Sequence, residues 1–173
     1  RFLDAVVISG GEPTLQPDLA EYAGRIKDMG YLVKLDTNGT RPEVLKRLID
    51  ERLIDYAAMD LKAPLDRYDE ICGVPVDADY IRASMDILMR GRIEYEFRTT
   101  VVPELLEEDV LRIADSIKGA RLYILQQFRQ PEREGSGPVD YRLLKTPHTS
   151  SFIRELSRKT LLKVAMQQTR GTG

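Results

Sequence analysis

The strongest constraint on the fold is an alternation of short apolar runs with segments of helical periodicity, repeated about five times along the first 130 residues. The apolar runs cover residues 5–9, 31–35, 54–59, 93–102 and 121–128. Between the first two runs, Leu19, Ala23 and Ile26 recur at the spacing of one helix face. Strands that alternate with helices in this way run parallel, because each helix carries the chain back across the sheet. The pattern therefore predicts an α/β fold.

Polar residues at the strand ends distinguish between the two common parallel architectures. A doubly wound sheet binds its ligand at one switch point, whereas a barrel gathers functional side chains from many strand ends. Polar side chains lie at or near the ends of five successive runs, at Glu12, Asp36, Asp60 with Lys62, Arg98, and Gln126 with Gln127. This favours a barrel. Because a complete eight-unit barrel needs about 250 residues, the 173 residues predict an incomplete, partial TIM-type parallel βα barrel.

We expect residues 1–130 to form this partial barrel and residues 131–173 to form an irregular C-terminal tail packed on the same domain. Residues 130–150 are rich in Pro, Gly, Ser and charge, which is typical of a loop. Phe152, Leu156 and Leu161 predict a helix in the tail, followed by a short strand at 163–166.

Three helix ends carry recognisable boundary residues. Asp18 precedes the first helical segment as a candidate N-cap, and Gly30 stands where a left-handed helix end is expected. Thr40 and Glu43 have the spacing of a capping box, which predicts that the second helix begins there.

Charge and cysteine content exclude several classes of function. The chain has 26 Lys and Arg against 28 Asp and Glu, so its net charge of −2 argues against a nucleic-acid-binding surface. No apolar run approaches the length of about 18 residues that predicts a membrane span. Cys72 is the single cysteine, which rules out an intrachain disulfide. We therefore predict a cytoplasmic protein that binds neither nucleic acid nor a membrane.

The segment Gly10-Gly11-Glu12-Pro13 follows the first strand directly. Two glycines allow a ligand to approach the main chain closely and leave its amide and carbonyl groups uncovered. Glu12 adds a carboxylate at the same edge. A plain turn between a strand and a helix is the alternative interpretation of this segment.

Two further polar clusters follow the second and third strands. Asp36-Thr37-Asn38-Gly39 ends the second, and Asp60-Leu61-Lys62 ends the third. An Asx turn would explain Asn38-Gly39, and a local ion pair would explain Asp60 with Lys62. Together, carboxylates and one ammonium at neighbouring strand ends form a set that can bind a zwitterion such as an amino-acid group, with a small hard cation on oxygen ligands.

Three other residues are less informative. Arg98 shares a strand face with Glu94 and Glu96, so either a structural ion pair or a contact to a substrate carboxylate would explain it. His148 is expected to be a solvated loop residue, and Cys72 a small buried apolar residue in a loop.

The segments VVISGGEPTLQPDL, KLDTNG, YAAMDLKAP and EFRTTVVP, in this order, resemble the radical S-adenosylmethionine (SAM) activating enzymes. The resemblance covers about residues 1–130 and is greatest to the activators of anaerobic ribonucleoside-triphosphate reductase, which are related to the pyruvate formate-lyase activating enzymes. In such enzymes a [4Fe–4S] cluster reduces SAM by one electron, giving methionine and a 5′-deoxyadenosyl radical. The radical then takes a hydrogen atom from a glycine of the partner glycyl-radical enzyme.

The resemblance also implies roles for individual residues, although it assigns no catalytic residue. The residues implied to bind SAM are Gly10, Gly11, Glu12, Asp36, Asn38, Asp60, Lys62 and Arg98. A monovalent cation is implied at Asp36, Thr37, Met59 and Asp60. A flavodoxin or ferredoxin is the implied source of the electron.

Two features depart from the resembled pattern. The Cys-x3-Cys-x2-Cys loop that binds the cluster is absent, so we expect the ligands upstream of Arg1 and an inactive fragment in isolation. Gln126 and Gln127 stand where the formate-lyase activators tend to carry a histidine, which favours the reductase-activating branch.

Two other functions stay open at this point. A different barrel enzyme, such as an aldolase or a phosphate-binding isomerase, would need a desolvated lysine or a glycine-rich loop after a late strand. A non-catalytic partial barrel that binds SAM or a partner would need neither.

Overall fold

The computed structural model describes residues 3–128 and 163–167 of the chain. The strands are β1 (Ala5–Ile8), β2 (Leu32–Thr37), β3 (Tyr56–Asp60), β4 (Glu94–Val101), β5 (Tyr123–Gln127) and β6 (Val164–Gln167). The helices are α1 (Leu19–Asp28), α2 (Pro42–Asp50), α3 (Tyr68–Cys72), α4 (Ala78–Met89) and α5 (Glu107–Ser116). Two short 3₁₀ turns, Pro13–Leu15 and Leu65–Arg67, lie after β1 and before α3.

The six described strands form one parallel sheet in the order β1-β2-β3-β4-β5-β6. Each strand pairs with its neighbour along the chain, and the order contains no reversal. A doubly wound sheet requires a reversal at its switch point, so this order confirms the partial-barrel architecture.

Strand β6 begins at Val164, one residue after the start of the short strand predicted at 163–166, and it pairs with β5. The helix predicted around Phe152, Leu156 and Leu161 lies outside the described residues, as does His148. The division into a barrel at 1–130 and a tail at 131–173 stays a prediction.

The two faces of the sheet differ in chemistry because successive side chains of a strand point to opposite sides. On one face, apolar side chains pack with apolar residues of the helices in one continuous core. The largest fully buried members of this core are Leu35, Met59, Phe97, Tyr123 and Leu125 from the sheet, with Leu45, Leu48, Ile81, Leu88, Ile113 and Ile117. The opposite face carries the charged residues of β2, β3 and β4, described below.

The predicted capping box at Thr40 and Glu43 is wrong. Helix α2 has Arg41 at its N-cap position without a side-chain cap, and Pro42 opens the helix. Both the amide and the hydroxyl of Thr40 donate to Asn38 Oδ1, at 3.0 and 2.7 Å, so Thr40 is committed to the preceding turn. Pro42 can take the first helical position because its fixed φ suits the helix and no amide is needed there.

Other helix boundaries differ in smaller ways. Asp18 occupies the N-cap position of α1, but its side chain makes no cap hydrogen bond. Gly30 adopts the expected left-handed conformation, with φ of 80°. Cys72 is the last residue of the short helix α3, not a loop residue, because this helix ends only at Gly73, with φ of 69°.

No helix in the described ranges combines the length and the apolar character needed to cross a membrane.

Candidate functional site

Glu12 holds the loop after β1 to the end of β2. Its Oε1 accepts hydrogen bonds from the Thr14 amide (3.1 Å), the Thr14 hydroxyl (2.6 Å) and the Thr37 hydroxyl (2.8 Å). Its Oε2 accepts from the Asn38 amide at 2.6 Å. A carboxylate offers about two acceptor positions on each oxygen, so the donors to Oε1 use all of its positions, whereas Oε2 accepts one hydrogen bond and keeps one position. We call Glu12, Thr14, Thr37 and Asn38 the Glu12 clasp.

The two glycines before Glu12 leave an open main-chain surface. Gly10 has φ of +138°, a conformation that residues with a Cβ rarely adopt. A Cβ built at either Gly10 or Gly11 meets no other atom within 4 Å. The loop is therefore exposed, and its carbonyl and amide groups are accessible to a ligand.

The Asn38–Gly39 turn is tightly packed beneath this loop. Asn38 forms an Asx turn with Thr40, as the alternative interpretation of this segment predicted. Gly39 has φ of +78°, and a Cβ at this position would lie 2.1 Å from the terminal methyl of the fully buried Met59. The hydroxyl of Ser84 from α4 donates to the Gly39 carbonyl at 2.7 Å. Glycine is therefore required at position 39 for both conformation and space.

Arg98 connects the carboxylates at the ends of β2 and β3. Its Nε donates to Asp60 Oδ1 at 2.8 Å, and its Nη1 lies 3.4 Å from Asp36 Oδ2. The Arg98 side chain is 13% exposed, against 20% for Asp36 and 42% for Asp60. We call these three residues the Arg98 fork. Asp36 Oδ1 is buried and accepts no hydrogen bond from any described residue.

A second charged group lies next to the Arg98 fork on the same sheet face. Lys34 Nζ lies 3.8 Å from Asp36 Oδ1 and 3.2 Å from Glu96 Oε1, and it lies over the ring of Tyr56 at 5.1 Å. The Tyr56 hydroxyl donates to Glu96 Oε2 at 2.8 Å. Burial, together with the Glu96 carboxylate, raises the pKa of Tyr56 well above its ordinary value. Arg98 thus pairs with the two aspartates, while Glu96 pairs with Lys34 and Glu94 pairs with Arg121.

Lys62 has no ion-pair partner within the part of the chain that the structure describes. Asp60, its predicted local partner, pairs with Arg98 instead, because Arg98 lies directly beside Asp60 in the strand register. The Lys62 main-chain amide donates to the hydroxyl of the buried Tyr68 at 3.1 Å, which fixes the turn after β3. The exposed side chain of Lys62 borders a cavity of about 460 Å³, lined also by Asp60, Cys72, Thr100, Val102 and Glu104.

The structure brings the eight residues predicted to bind SAM to one edge of the sheet. Gly10, Gly11 and Glu12 join the end of β2 through the Glu12 clasp, and Asp36, Asp60 and Arg98 meet in the Arg98 fork. Lys62 lies two residues beyond β3, on the cavity it shares with Asp60. A smaller cavity of about 200 Å³ lies beside Gly11 and Glu12, against the start of α1.

Lys34, Tyr56 and Tyr68 are site residues that the sequence interpretation missed. Lys34 and Tyr56 lie opposite one another in the register of β2 and β3. The period-two alternation Lys34, Asp36 in β2 and Glu94, Glu96, Arg98 in β4 could have shown a polar sheet face. No sequence signal links Tyr68 to Lys62.

Comparison with known proteins identifies the family. A family model described as the radical SAM superfamily matches residues 1–117, more than half of the chain. The chain belongs to the radical SAM superfamily. Members of this superfamily use SAM and a [4Fe–4S] cluster.

Two relatives from Methanocaldococcus jannaschii are described as candidate glycyl-radical enzyme activating enzymes. The first is 39% identical over 179 residues, which cover 99% of this chain and 73% of the relative. The second is 33% identical over 114 residues, which cover 62% of this chain and 42% of the relative.

Solved structures of this superfamily share the fold. A domain of a pyruvate-formate lyase-activating enzyme from Bacteroides vulgatus matches with a TM-score of 0.69 and 17% identity, covering 94% of this chain and 98% of that one. SuiB from Streptococcus suis, in complex with SAM, matches with a TM-score of 0.68 and 15% identity, covering 94% of this chain and 38% of SuiB.

The residues present fit SAM but not the cluster. The open Gly10–Gly11 loop exposes main-chain groups, and Lys62, which has no ion-pair partner among the described residues, carries a positive charge. Binding a methionyl ammonium and carboxylate requires groups of these two kinds. The cluster requires three thiolates, whereas Cys72 is the single cysteine. The described residues also contain no group of three or more His, Cys, Asp or Glu side chains arranged to hold a metal ion.

Proposed function

We propose that this chain is the SAM-binding barrel of an activating enzyme that generates a 5′-deoxyadenosyl radical and installs a glycyl radical on a partner enzyme. The observation that carries the proposal is the 39% identity to a candidate glycyl-radical enzyme activating enzyme over 99% of this chain. That alignment includes the three polar segments that follow β1, β2 and β3 and the fourth segment, which lies in β4. Neither an aldolase nor an isomerase is among the similar proteins described above.

Within this function, the methionyl end of SAM binds at the carboxyl edge of β1, β2 and β3. The exposed carbonyl groups of Gly10 and Gly11 would hold the methionyl ammonium group, and the Lys62 ammonium would pair with the methionyl carboxylate. SAM supplies the hydrogen-abstracting adenosyl group of this superfamily. Charged hydrogen bonds of this kind are stronger than neutral ones, and they hold the ligand in one orientation.

Glu12 and Arg98 have positioning roles in this proposal. The Glu12 carboxylate is already used by four protein donors. It therefore fixes the glycine loop, and only one acceptor position, on Oε2, is not used by a described donor. Arg98 fixes Asp36 and Asp60 at the edge of the site, so that Asp60 presents its exposed second oxygen to the ligand.

We propose anaerobic ribonucleoside-triphosphate reductase as the partner, with a flavodoxin or ferredoxin as electron donor. The support is the resemblance of the four segments and the glutamines at 126 and 127. The cluster must then be bound by thiolates that this chain does not contain. Location in the cytoplasm stays a prediction from the single cysteine.

The test uses this chain together with the cluster-binding thiolates that the proposal requires, loaded with iron and sulfide under anaerobic conditions, with SAM, a one-electron reductant and a candidate partner. Anaerobic ribonucleoside-triphosphate reductase and pyruvate formate-lyase are supplied in parallel. We expect 5′-deoxyadenosine together with the electron paramagnetic resonance doublet of a glycyl radical on the reductase. Lys62→Gln should abolish both products while the iron and sulfide content stays unchanged, because the ligand carboxylate loses the cation at this edge that no described carboxylate already pairs.

Lys118→Gln is the matched control, since Lys118 is an exposed lysine in the turn after α5, away from the edge that carries the site. This variant should form both products at the wild-type rate. Wild-type 5′-deoxyadenosine formation by Lys62→Gln would remove Lys62 from the site. A glycyl radical on the lyase alone would show that the lyase, and not the reductase, is the partner. Formation of 5′-deoxyadenosine without a radical on either enzyme would reject the activating function.

A further inference from the structure

The residues at which a monovalent cation is implied already have a cation of their own. Asp36 and Asp60 would supply the charged ligands of that cation. In the structure the Arg98 guanidinium lies between them, 3.4 Å from Asp36 Oδ2 and 2.8 Å from Asp60 Oδ1. The site expected for a metal ion is therefore bridged by a protein side chain.

The side chains of the other two implied ligands lie on the opposite face of the sheet. Thr37 is buried, and its hydroxyl donates to Glu12 and accepts from the Gly39 amide at 3.1 Å. Met59 is fully buried against Gly39. Successive residues of a strand alternate between faces, so neither side chain can reach the space between Asp36 and Asp60 while β2 and β3 stay in register, and these two residues could offer a cation only their main-chain carbonyl groups.

The charges grouped around Arg98 and Lys34 leave a net charge of only −1 without an added metal ion. Three carboxylates, of Asp36, Asp60 and Glu96, face two fixed cations, Arg98 and Lys34. Asp60 is the most exposed of the three carboxylates, so solvent screens its remaining negative charge. A hard cation placed between Asp36 and Asp60 would have to displace a guanidinium that makes a directed, charge-assisted hydrogen bond.

We propose that Arg98 takes the place of the monovalent cation, so that this protein binds its ligand without sodium or potassium. The guanidinium is always charged, because its pKa lies far above neutrality. Arg98 would then be a positioning residue that sets the separation of the two aspartates. The inference rests on the proposed function, because the cation is implied only by the resemblance to the activating enzymes.

The experiment compares wild type with Arg98→Gln in sodium, potassium and tetramethylammonium chloride at one ionic strength, without SAM. Tetramethylammonium is too large to be coordinated by a pair of carboxylates. Two quantities are measured, the thermal unfolding midpoint and the ²³Na relaxation rate. We expect the wild-type midpoint to agree within about 1 °C among the three salts, and no saturable sodium relaxation.

Arg98→Gln should unfold at a temperature lower by about 3 °C or more in tetramethylammonium than in sodium or potassium. It should also show saturable sodium relaxation, because two carboxylates without a guanidinium take up a cation. Arg121→Gln is the matched control, since Arg121, just before β5, pairs with the exposed Glu94 of β4 outside the Arg98 fork, and this variant should show no dependence on the type of cation.

Saturable sodium relaxation in wild type, lost in Asp36→Asn, would overturn the assignment. So would the absence of a sodium effect in both wild type and Arg98→Gln, or failure of Arg98→Gln to fold in every salt, because a metal ion would then not be equivalent to the guanidinium. Since no SAM is present, these results are independent of the test of the activating function.

Discussion

The site edge contains two acidic clusters whose carboxylates have different partners: neutral hydrogen-bond donors in one and a guanidinium in the other. At the ends of β1 and β2, Glu12 accepts four hydrogen bonds from two main-chain amides and two hydroxyls. At the ends of β2 and β3, Asp36 and Asp60 face a guanidinium, and Asp36 keeps one oxygen without a hydrogen bond from any described residue. The first cluster is neutral apart from Glu12 itself, and the second is an array of charges.

This difference separates the residues that shape the site from those that are available to a ligand. A carboxylate that accepts several hydrogen bonds from its own fold contributes to stability and geometry. An exposed charged group such as Lys62, without an ion-pair partner in residues 3–128, contributes little to stability and is available for binding. Substitutions should therefore affect unfolding at the Glu12 clasp and ligand binding around Lys62.

The largest expected effect is that of Glu12→Ala on stability. Removing the carboxylate leaves four donors without their acceptor, so the free energy of unfolding should fall by about 3–4 kcal/mol. Urea denaturation with an unchanged m value measures this loss. Glu43→Ala is the control, because Glu43 forms only an exposed ion pair with Arg41, 3.6 Å away, and should cost less than about 1 kcal/mol. If Glu12→Ala unfolds like wild type but binds SAM less tightly, Glu12 is a ligand contact and the comparison fails.

A smaller loss is expected from Gly39→Ala, in the packed turn under the Glu12 clasp. The new Cβ would meet the Met59 methyl in addition to the strain of a positive φ, so about 2–3 kcal/mol of unfolding free energy should be lost. Gly73→Ala is a matched control, since its φ of +69° is similar but no atom lies within 4 Å of its Cβ, and it should lose about 1 kcal/mol.

The excess loss in Gly39→Ala should shrink when Met59 is also shortened, in the double variant Gly39→Ala with Met59→Ala, measured against Met59→Ala alone. This cycle isolates the contact between the two residues. Equal losses for Gly39→Ala and Gly73→Ala would show that the turn is no more tightly packed than an open loop.

The smallest expected effect concerns Cys72, which lines the 460 Å³ cavity that Lys62 borders. Burial raises the pKa of the Cys72 thiol, and the positive charge of Lys62 opposes this increase. Lys62→Gln should therefore raise the pKa further, reducing the thiolate fraction and slowing alkylation by iodoacetamide at pH 8 by roughly twofold. Lys118→Gln should leave the alkylation rate unchanged. Faster alkylation in Lys62→Gln would mean that the lysine shields the thiol, and the charge argument would be wrong.

Most of the fold could be predicted because it follows from local pattern. The apolar runs placed all five strands of residues 3–128, and the polar residues at successive strand ends favoured the sequential strand order over a doubly wound one. The start of α2 was mispredicted because the Asn38 side chain competes for Thr40, a choice that depends on the whole turn. Helix α3 was missed because five residues are too few for a periodic signal.

The residues at the site edge could be predicted, but their partners could not. Strand-end positions indicate which residues gather at one edge, whereas hydrogen bonds such as those of Glu12 with Thr37 depend on the fold between them. The pairing of Arg98 with Asp60 follows from the register of β3 and β4, which the sequence does not specify. From the sequence alone, Glu94 and Glu96 are equally good candidates as partners of Arg98, because they share its strand face.

The sequential strand order also determines the order in which strands can pair, and charges can be neutralised, while the polypeptide is being synthesised. Each strand can add to the previous one as it leaves the ribosome, because its partner has already been synthesised. Asp36 and Asp60, however, emerge before the arginine that neutralises them. Until residue 98 has been translated and β4 has added to the sheet, the growing edge carries two aspartates without their guanidinium, and β4 is therefore the step at which electrostatic repulsion at this edge turns into attraction.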